Sequence, residues 1–391
     1  MFPAIRHLDD VRPALEGHGE FYVMDKGGHW AIDYVFQGRD TFRPNPAHGE
    51  KAEAFARLRR ECRGLKFHRD GRLMARPFHK FFNLFETEET QPHALPLAEA
   101  LAVEKLDGSM IHPALLPEDG LVLMTMQWRS PIARQAEAHA LVPGKGYEDL
   151  CRTLLAQGLL PVFEWCSLQH RIIIAHPEDR LVLLAVRHQT EGHYLPNAEV
   201  EALARAHGVP AVQAEPLPSD FDAWLAGIRA LPASQEGAVL LLPSGERVKI
   251  KGEAYTRAHQ AAEMLGREGW VLEIVLGKTE DDVLPLLPLG PREALRAFAA
   301  QVRAGLLQTA RRLEARAAAL LAEAGGDRKV LATLVAKEPG DDRPFLFQAA
   351  GTPGSVLERL LRDAQKKRLT EERIEEIRPW WGGARWTPPA P

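Results

Sequence analysis

The sequence predicts an α+β fold: mostly antiparallel sheets over residues 1–253, then an all-helical C-terminal domain over 254–391. Three observations carry this. Short Val- and Leu-rich runs bounded by Gly or Pro recur through the first 250 residues. Two pairs of them flank tight turns, the mark of antiparallel hairpins. Beyond about residue 253 the apolar positions change to helical spacing.

In the first hairpin, Phe21-Tyr22-Val23-Met24 and the run from Trp30 to Phe36 flank a Lys-Gly-Gly turn. The second sets Gly64-Leu65-Lys66-Phe67 and Arg72-Leu73-Met74-Ala75 about His68-Arg69-Asp70-Gly71. LVLMTM, PVFEW, RLVLLAV and EGAVLLL are further strands, and Asn197 is expected to cap a short helix ending at Gly208. In the C-terminal third, Leu295, Phe298, Val302, Leu306 and Leu313 recur at helical spacing. Pro291 suits the first turn of that helix and Gly325-Gly326 ends it. A polar helix is expected from Thr370 to Ile377, stopping at Pro379, and TPPAP closes the chain as a loose tail. No internal repeat is present.

Composition excludes several classes. Hydrophobic residues make up 45% and charged residues 26%, the profile of a soluble globular protein. The opening MFPAIRHLDD lacks the apolar core of a secretion signal, and no run of about 18 uncharged apolar residues occurs, so no membrane span is expected. Cys62, Cys151 and Cys166 form no C-x-x-C pair, which argues for a reducing cytosol and against structural zinc. The net charge is −4, so contact with phosphates must come from local basic clusters. Only Asn45, Asn83 and Asn197 are asparagines, a bias that a hot environment and a GC-rich genome would both produce.

The central motif is Glu104-Lys105-Leu106-Asp107-Gly108-Ser109. A lysine amine attacks phosphorus only when unprotonated. Bringing its pKa from about 10.4 to about 7–8 needs roughly 4 kcal/mol of environment. The Asp-Gly fits a tight turn that leaves Lys105 at a strand end, facing a pocket. Alone, K-x-D-G reads more readily as a surface lysine beside a turn. Its neighbours change that. Arg63-Gly64 precedes one strand, Lys80-Phe81-Phe82-Asn83 follows the next, and Glu164 stands among apolar strand residues, where an unpaired carboxylate is costly. Glu236-Gly237 opens another strand, and alternation puts Lys249 and Lys251 on one face of its partner. Two ammonium groups there would grip a triphosphate and disfavour protonation of Lys105.

The ordered set RG, RPFHKFFN, EKLDGS, FEW, EGAV and VKIKGEAY resembles the phage-type single-stranded RNA ligases of the RNA ligase 1 group, over Tyr34 to Lys251. The resemblance implies a covalent nucleotidyltransferase fold with a helical C-terminal domain, and a thermostable phage enzyme as its nearest kind. It implies that Lys105 forms a lysyl-AMP, with Glu236, Lys249 and Lys251 also catalytic. Tyr34, Arg63, Lys80, Phe82 and Gly108 would contact the nucleotide, with Arg63 and Lys80 on the outer phosphates. Glu164 would bind the ribose, and Lys249 and Lys251 the α-phosphate. Glu236 and Asp281 would serve a divalent metal. Tyr255 matches a position tied to the later steps. The family's basic residue after the nucleotide strand has no firm counterpart in Met126-Gln127-Trp128-Arg129-Ser130, where Arg129 is the substitute expected.

The implied reaction uses ATP and Mg2+, with Mn2+ as an alternative, and joins single-stranded RNA carrying 5′-phosphate and 3′-hydroxyl ends. The RNA ligase family also implies a repair role on cleaved tRNA. A monomer in the cytoplasm is expected, the host cytoplasm if the chain is phage-encoded. Gly277-Lys278-Thr279 is no phosphate loop, because position 272 is Leu where Gly is needed. A DNA ligase or GTP-using capping enzyme shares the K-x-D-G chemistry, and a catalytically silent RNA-binding protein could keep the fold. Phe81 reads as a core aromatic. Arg292, Arg296, Arg303, Arg311, Arg312 and Arg316 read as a solvated helix face, and Trp380, Trp381 and Trp386 as docking residues of the helical domain.

Overall fold

A computed structural model describes residues 2–388 apart from positions 36, 39, 127, 171, 278 and 288, and without the side chains of Asp282, Leu286 and Leu289. Phe36, Gln127, Lys278 and the end of the TPPAP tail therefore lie outside the described residues. The chain divides into compact units, 1–256 and 257–390. The division falls three residues beyond the boundary read from the sequence, within a helix rather than at its start.

The first unit begins with a short helix, α1 (Arg12–Leu15), and a meander β1 (Phe21–Asp25), β2 (His29–Tyr34), β3 (Leu65–His68) and β4 (Leu73–Ala75), interrupted by α2 (Ala52–Glu61). After β5 (Phe82–Asn83), β6 (Leu101–Lys105) leads to the 106–108 loop and β7 (Ser109–Leu116) leaves it. Then come β8 (Gly120–Met124), α3 (Pro131–Ala140), α4 (Tyr147–Ala156), β9 (Leu159–Cys166), β10 (Arg180–His188), α5 (Asn197–His207), β11 (Ala214–Pro216), α6 (Phe221–Arg229), β12 (Gly237–Leu241) and β13 (Arg247–Lys251). Three sheets result, in the orders β1-β2-β3-β4, β10-β9-β7-β8 and β11-β6-β12-β13-β5. Every described pair of strands is antiparallel except β13 with β5.

Layering follows from the apolar runs. β10 reads Arg-Leu-Val-Leu-Leu-Ala-Val-Arg-His and is buried on both faces. On one side Leu181, Leu183 and Val186 pack with α3, α4 and α5; on the other Val182 meets Val103 and Val239 of the third sheet. The site-bearing sheet is thus packed against the second sheet, while α6 covers its far side through Leu225. Asn197 does not cap α5. Pro196 holds that position, and the Asn197 amide instead donates to Glu201 Oε1 at 2.7 Å. Gly208 ends the helix in the left-handed conformation.

A buried ion triad pins the chain ahead of Lys80. Arg76 and Arg187 both lie 2.9 Å from Glu61 Oε1, and all three side chains are out of solvent. Burial raises the Glu61 carboxyl, but Arg187 and Arg76 outweigh it and hold its pKa at about 2. Arg76 also donates to the Thr190 and Pro3 carbonyls, and Arg187 to those of Pro77 and Gly192.

The second unit is helical. α7 (Glu253–Leu265) enters it, and α8 (Glu268–Gly277), α9 (Glu280–Val283), α10 (Leu289–Glu323), α11 (Arg328–Val335), α12 (Arg343–Gly351), α13 (Val356–Gln365) and α14 (Glu371–Ile377) follow. Leu295, Phe298, Val302, Leu306 and Leu313 of α10 all point into one core, which also takes Trp381 and Trp386. Thr370 caps α14, and Pro379 falls inside a further 3-10 turn rather than ending the structure. Three of the six arginines in the α10 row are ion-paired: Arg303 with Glu280, Arg312 with Asp342 and Arg316 with Glu338.

Candidate active site

Three neighbouring strands build the centre of the site. β12 lies between β6 and β13, and its first residue, Gly237, stands opposite Lys105 on one side and Lys251 on the other. Gly237 has φ +144°, and a Cβ there would lie 2.0 Å from the Ile250 carbonyl oxygen. Only glycine permits that approach. Glu236, just before it, is buried and receives both amines: Lys105 Nζ is 2.6 Å and Lys251 Nζ 3.2 Å from its Oε1. Lys105 therefore faces a shared carboxylate as well as the cations that the sequence places near it.

The loop after Lys105 is rigidly held. Asp107 is buried; one carboxylate oxygen accepts from the amides of Ile173 (2.8 Å) and Ile174 (2.6 Å), the other from the Tyr255 hydroxyl (2.7 Å). A Cβ on Gly108 would lie 2.4 Å from the Trp165 carbonyl, so the turn fits against β9 only as glycine. Tyr255 is buried beside Asp107 and Glu236, and Lys251 Nζ sits 5.2 Å from its ring. Burial and the neighbouring carboxylates drive its hydroxyl pKa far up, keeping it a donor. Its position links α7 to the loop after Lys105, a contact the sequence alone did not specify.

Around this centre opens a cleft of about 640 Å3 lined by Tyr34, Arg63, Lys80, Lys105, Gly108, Glu164, Lys249 and Lys251, among others. Burial lowers the Lys249 amine to about 7, and Lys80, Arg63 and Lys105 push the same way. Burial likewise lowers the Lys80 amine, which lies 5.9 Å from the Tyr34 ring and 5.2 Å from the Phe82 ring. Tyr34 has its own pKa raised by burial, with Arg63 beside the hydroxyl acting against it. Burial raises the Glu164 carboxyl to about 8; Lys105 opposes this and Glu236 adds to it. Glu164 has no hydrogen bond or ion pair among the described residues, so it is a polar group facing the cleft without a partner.

Phe81 packs against two apolar clusters, as a core aromatic would, but it also borders the cleft, whereas Phe82 does not line it. Phe82 stands opposite Val248 in the parallel pairing of β5 with β13, so it turns to the buried side, beneath Lys80, and lines a second cavity. Phe81 faces the cleft, with Lys249 Nζ 5.4 Å from its ring. Arg129 does not line the cleft; it pairs with Glu137 and Asp119, and Trp128 takes the cleft position instead. Asp281 belongs to the helical unit, where it lines a groove with Glu280, Arg296 and Arg303. Among the described residues no group of three or more His, Cys, Asp or Glu forms a preformed metal site. Glu236 offers one hard carboxylate oxygen donor to the cleft, the ligand type that magnesium-like ions take.

Two residues of the site escaped the sequence reading. Lys66 is wholly buried and donates to the carbonyls of Gly64 (3.0 Å), Thr125 (2.9 Å) and Met126 (2.7 Å), tying the Arg63 turn to the opposite wall. Burial lowers its amine to about 7. Its one visible sign was a lysine inside an apolar strand. Arg247 lines the cleft too, and its sign was the alternation that continues back from Lys251 and Lys249.

With this geometry in hand, comparison with known proteins is informative. Residues 61–255 match the family model described as RNA ligase. A Thermovibrio ammonificans protein, whose name proposes it as an RNA ligase, is 32% identical over 205 residues, covering 52% of this chain. The chain spans about half the length of that relative. Among solved structures, an archaeal ATP-dependent RNA ligase is similar at TM-score 0.45 and 15% identity, covering 94% of this chain and 84% of its own. A Naegleria gruberi RNA ligase with PPi gives TM-score 0.34 and 20% identity, covering 42% and 52%.

Proposed function

Residues 61–255 belong to the RNA ligase family, and from that premise we propose that this chain is an ATP-dependent RNA ligase acting through a nucleotide bound covalently to Lys105. The observation that carries the reading is the convergence of Lys105 and Lys251 on Glu236 at the floor of a cleft whose walls hold Lys249, Lys80 and Arg63.

The chemistry follows from those positions. Lys105 Nζ attacks the α-phosphorus of ATP, the new P–N bond forms as the bond to the β-phosphate oxygen breaks, and pyrophosphate leaves. The amine must shed a proton, and Glu236, 2.6 Å away, is the nearest acceptor. Lys249 and Lys251 stabilise charge building on the α-phosphate, while Arg63 and Lys80 take the outer phosphates. Glu164, held largely protonated at neutral pH, presents a hydrogen-bonding carboxyl to the ribose. A divalent cation, magnesium or manganese, held by Glu236 with substrate phosphates, would neutralise phosphate charge when bound. AMP then passes to the 5′-phosphate of single-stranded RNA, whose oxygen displaces Lys105 from phosphorus. Finally a 3′-hydroxyl attacks the activated 5′-phosphate, sealing the strand and releasing AMP. Three buried free thiols support a reducing compartment such as the cytoplasm. No described helix is long and apolar enough to cross a membrane.

Mass spectrometry after incubation with ATP and magnesium tests the first step. An AMP adduct is expected, and it should vanish in Lys105→Ala. Labelling by GTP in place of ATP would overturn the ligase reading in favour of a capping chemistry. Circularisation of 5′-phosphorylated single-stranded RNA, set beside the same oligonucleotide in DNA, tests the substrate.

A further inference from the structure

β13 carries cations at alternate positions, Arg247, Lys249 and Lys251, so the three side chains leave one face of the strand. Lys251 shares Glu236 with the nucleophile, and Lys249 stands among Lys80, Arg63 and Lys105. Arg247 is next along the row, each step being about 6.6 Å from the strand rise. The row leads along β13 away from the end of the strand that faces Lys105.

Arg247 differs from the other buried arginines. Arg76 and Arg187 share Glu61, Arg378 pairs with Glu268 and Glu375, and Arg59 donates to the carbonyls of Thr41, Ala14 and Arg43. Arg247 is 8% exposed and has no carboxylate partner among the described residues, and its Nε has no acceptor. Its guanidinium lies against ring faces, 4.3 Å from Tyr194 and 5.0 Å from Phe78, and hydrogen-bonds the Tyr194 hydroxyl, a neutral partner. A desolvated cation without a counterion is costly unless an anion arrives to meet it. Arg247 also borders two smaller cavities: one sets Glu61, Glu89 and Glu246 against Arg57 and Arg60, and the other holds Glu99 and Glu246. The cleft side presents Arg63, Lys80, Lys105, Lys249 and Lys251 against two acids, Glu104 and Glu164. An anion is favoured there.

We propose that Arg247 binds the β- and γ-phosphates of the nucleoside triphosphate, and hence the departing pyrophosphate. The inference rests on the nucleotidyltransferase reading of the cleft. In the step concerned, the bond between the α-phosphorus and the bridging oxygen breaks, and both electrons go to pyrophosphate, whose charge the guanidinium meets with paired N–H donors.

The test resolves the steps. Lys105-AMP formation is measured against ATP concentration, its reversal against inorganic pyrophosphate, and sealing with pre-adenylylated RNA, which involves no pyrophosphate. Arg247→Met is expected to raise the KM for both ATP and pyrophosphate about tenfold or more, the loss of one charge-assisted contact. Any fall in sealing should be at least tenfold smaller. Arg247→Lys, keeping charge without the fork, should recover part of the loss, and it carries the test if the Met variant does not fold. KM values within twofold of the parent, or equal losses in adenylylation and sealing, would overturn the proposal. Absence of any lysyl-AMP in the parent protein would instead sink the ligase reading itself.

Discussion

Lys105 and Lys251 sit on opposite flanks of Gly237, and their amines meet on a single oxygen of Glu236, at 2.6 and 3.2 Å. One buried carboxylate thus sets the position of both Lys105 and the cation opposite it. Removing its charge while keeping its shape should disturb the chemistry more than the fold. Glu236→Gln is expected to slow lysyl-AMP formation about 100-fold, read by single-turnover labelling with ATP.

Gly237 is the hinge of that arrangement. A methyl group there meets the Ile250 carbonyl at 2.0 Å from a backbone conformation that other residues rarely adopt. Gly237→Ala should cost about 3 kcal/mol or more by spreading β12 from β13. Urea unfolding measures the loss, and an unchanged midpoint would show that the strands absorb the methyl group.

Lys249 predicts proton uptake on nucleotide binding. Free, its amine titrates at about 7, so at pH 8 it is mostly neutral. A phosphate beside it favours the ammonium form and raises the pKa again. Calorimetry of metal-free ATP binding at pH 8, in buffers of different ionisation enthalpy, should show uptake of a large fraction of one proton. Lys249→Met should abolish it.

Glu164 makes the unliganded protein pH-sensitive in a stated direction. Its pKa is about 8 folded against 4.5 ordinarily, so the fold prefers the protonated form. That preference is fully present below about pH 4.5 and is lost as pH rises through 8. Glu164→Gln should therefore raise Tm at pH 8.5, by about 2–4 °C for each kcal/mol relieved, and leave it nearly unchanged at pH 5. Differential scanning fluorimetry at both values checks the crossover.

The Glu61 triad has the opposite sign. With its pKa held at about 2 by Arg187 and Arg76, against 4.5 ordinarily, Glu61 stabilises the fold above pH 4.5, and this stabilisation fades as pH falls through 2. Glu61→Gln leaves two buried guanidinium groups without a carboxylate and should cost about 3–5 kcal/mol at pH 7. The variant should also lose the part of acid destabilisation that this group contributes, measured as the denaturation midpoint from pH 5 to pH 2.5.

How much of this could be read in advance differs from residue to residue. Hairpins, strand runs and the long C-terminal helix were visible because periodicity and turn chemistry are local properties of the chain. Lys249 and Lys251 were placed on one face by alternation alone. That Phe81 also borders the cleft was not legible, since which of two adjacent side chains faces a cleft depends on the register with β13, a non-local pairing. Lys66 and Arg247 carried only faint marks, for the meaning of the first lies in carbonyls 59 and 60 residues along the chain and that of the second in a guanidinium with no carboxylate beside it among the described residues.

By itself, the sequence determined the chemistry on offer: an amine before an Asp-Gly turn, alternating cations and two acids in strands. Tertiary structure alone decided which groups touch, because β12 slides a glycine between Lys105 and Lys251 and so lets Glu236 reach both. Burial then set the charges, since desolvation depends on the packing of three sheets that no single segment encodes.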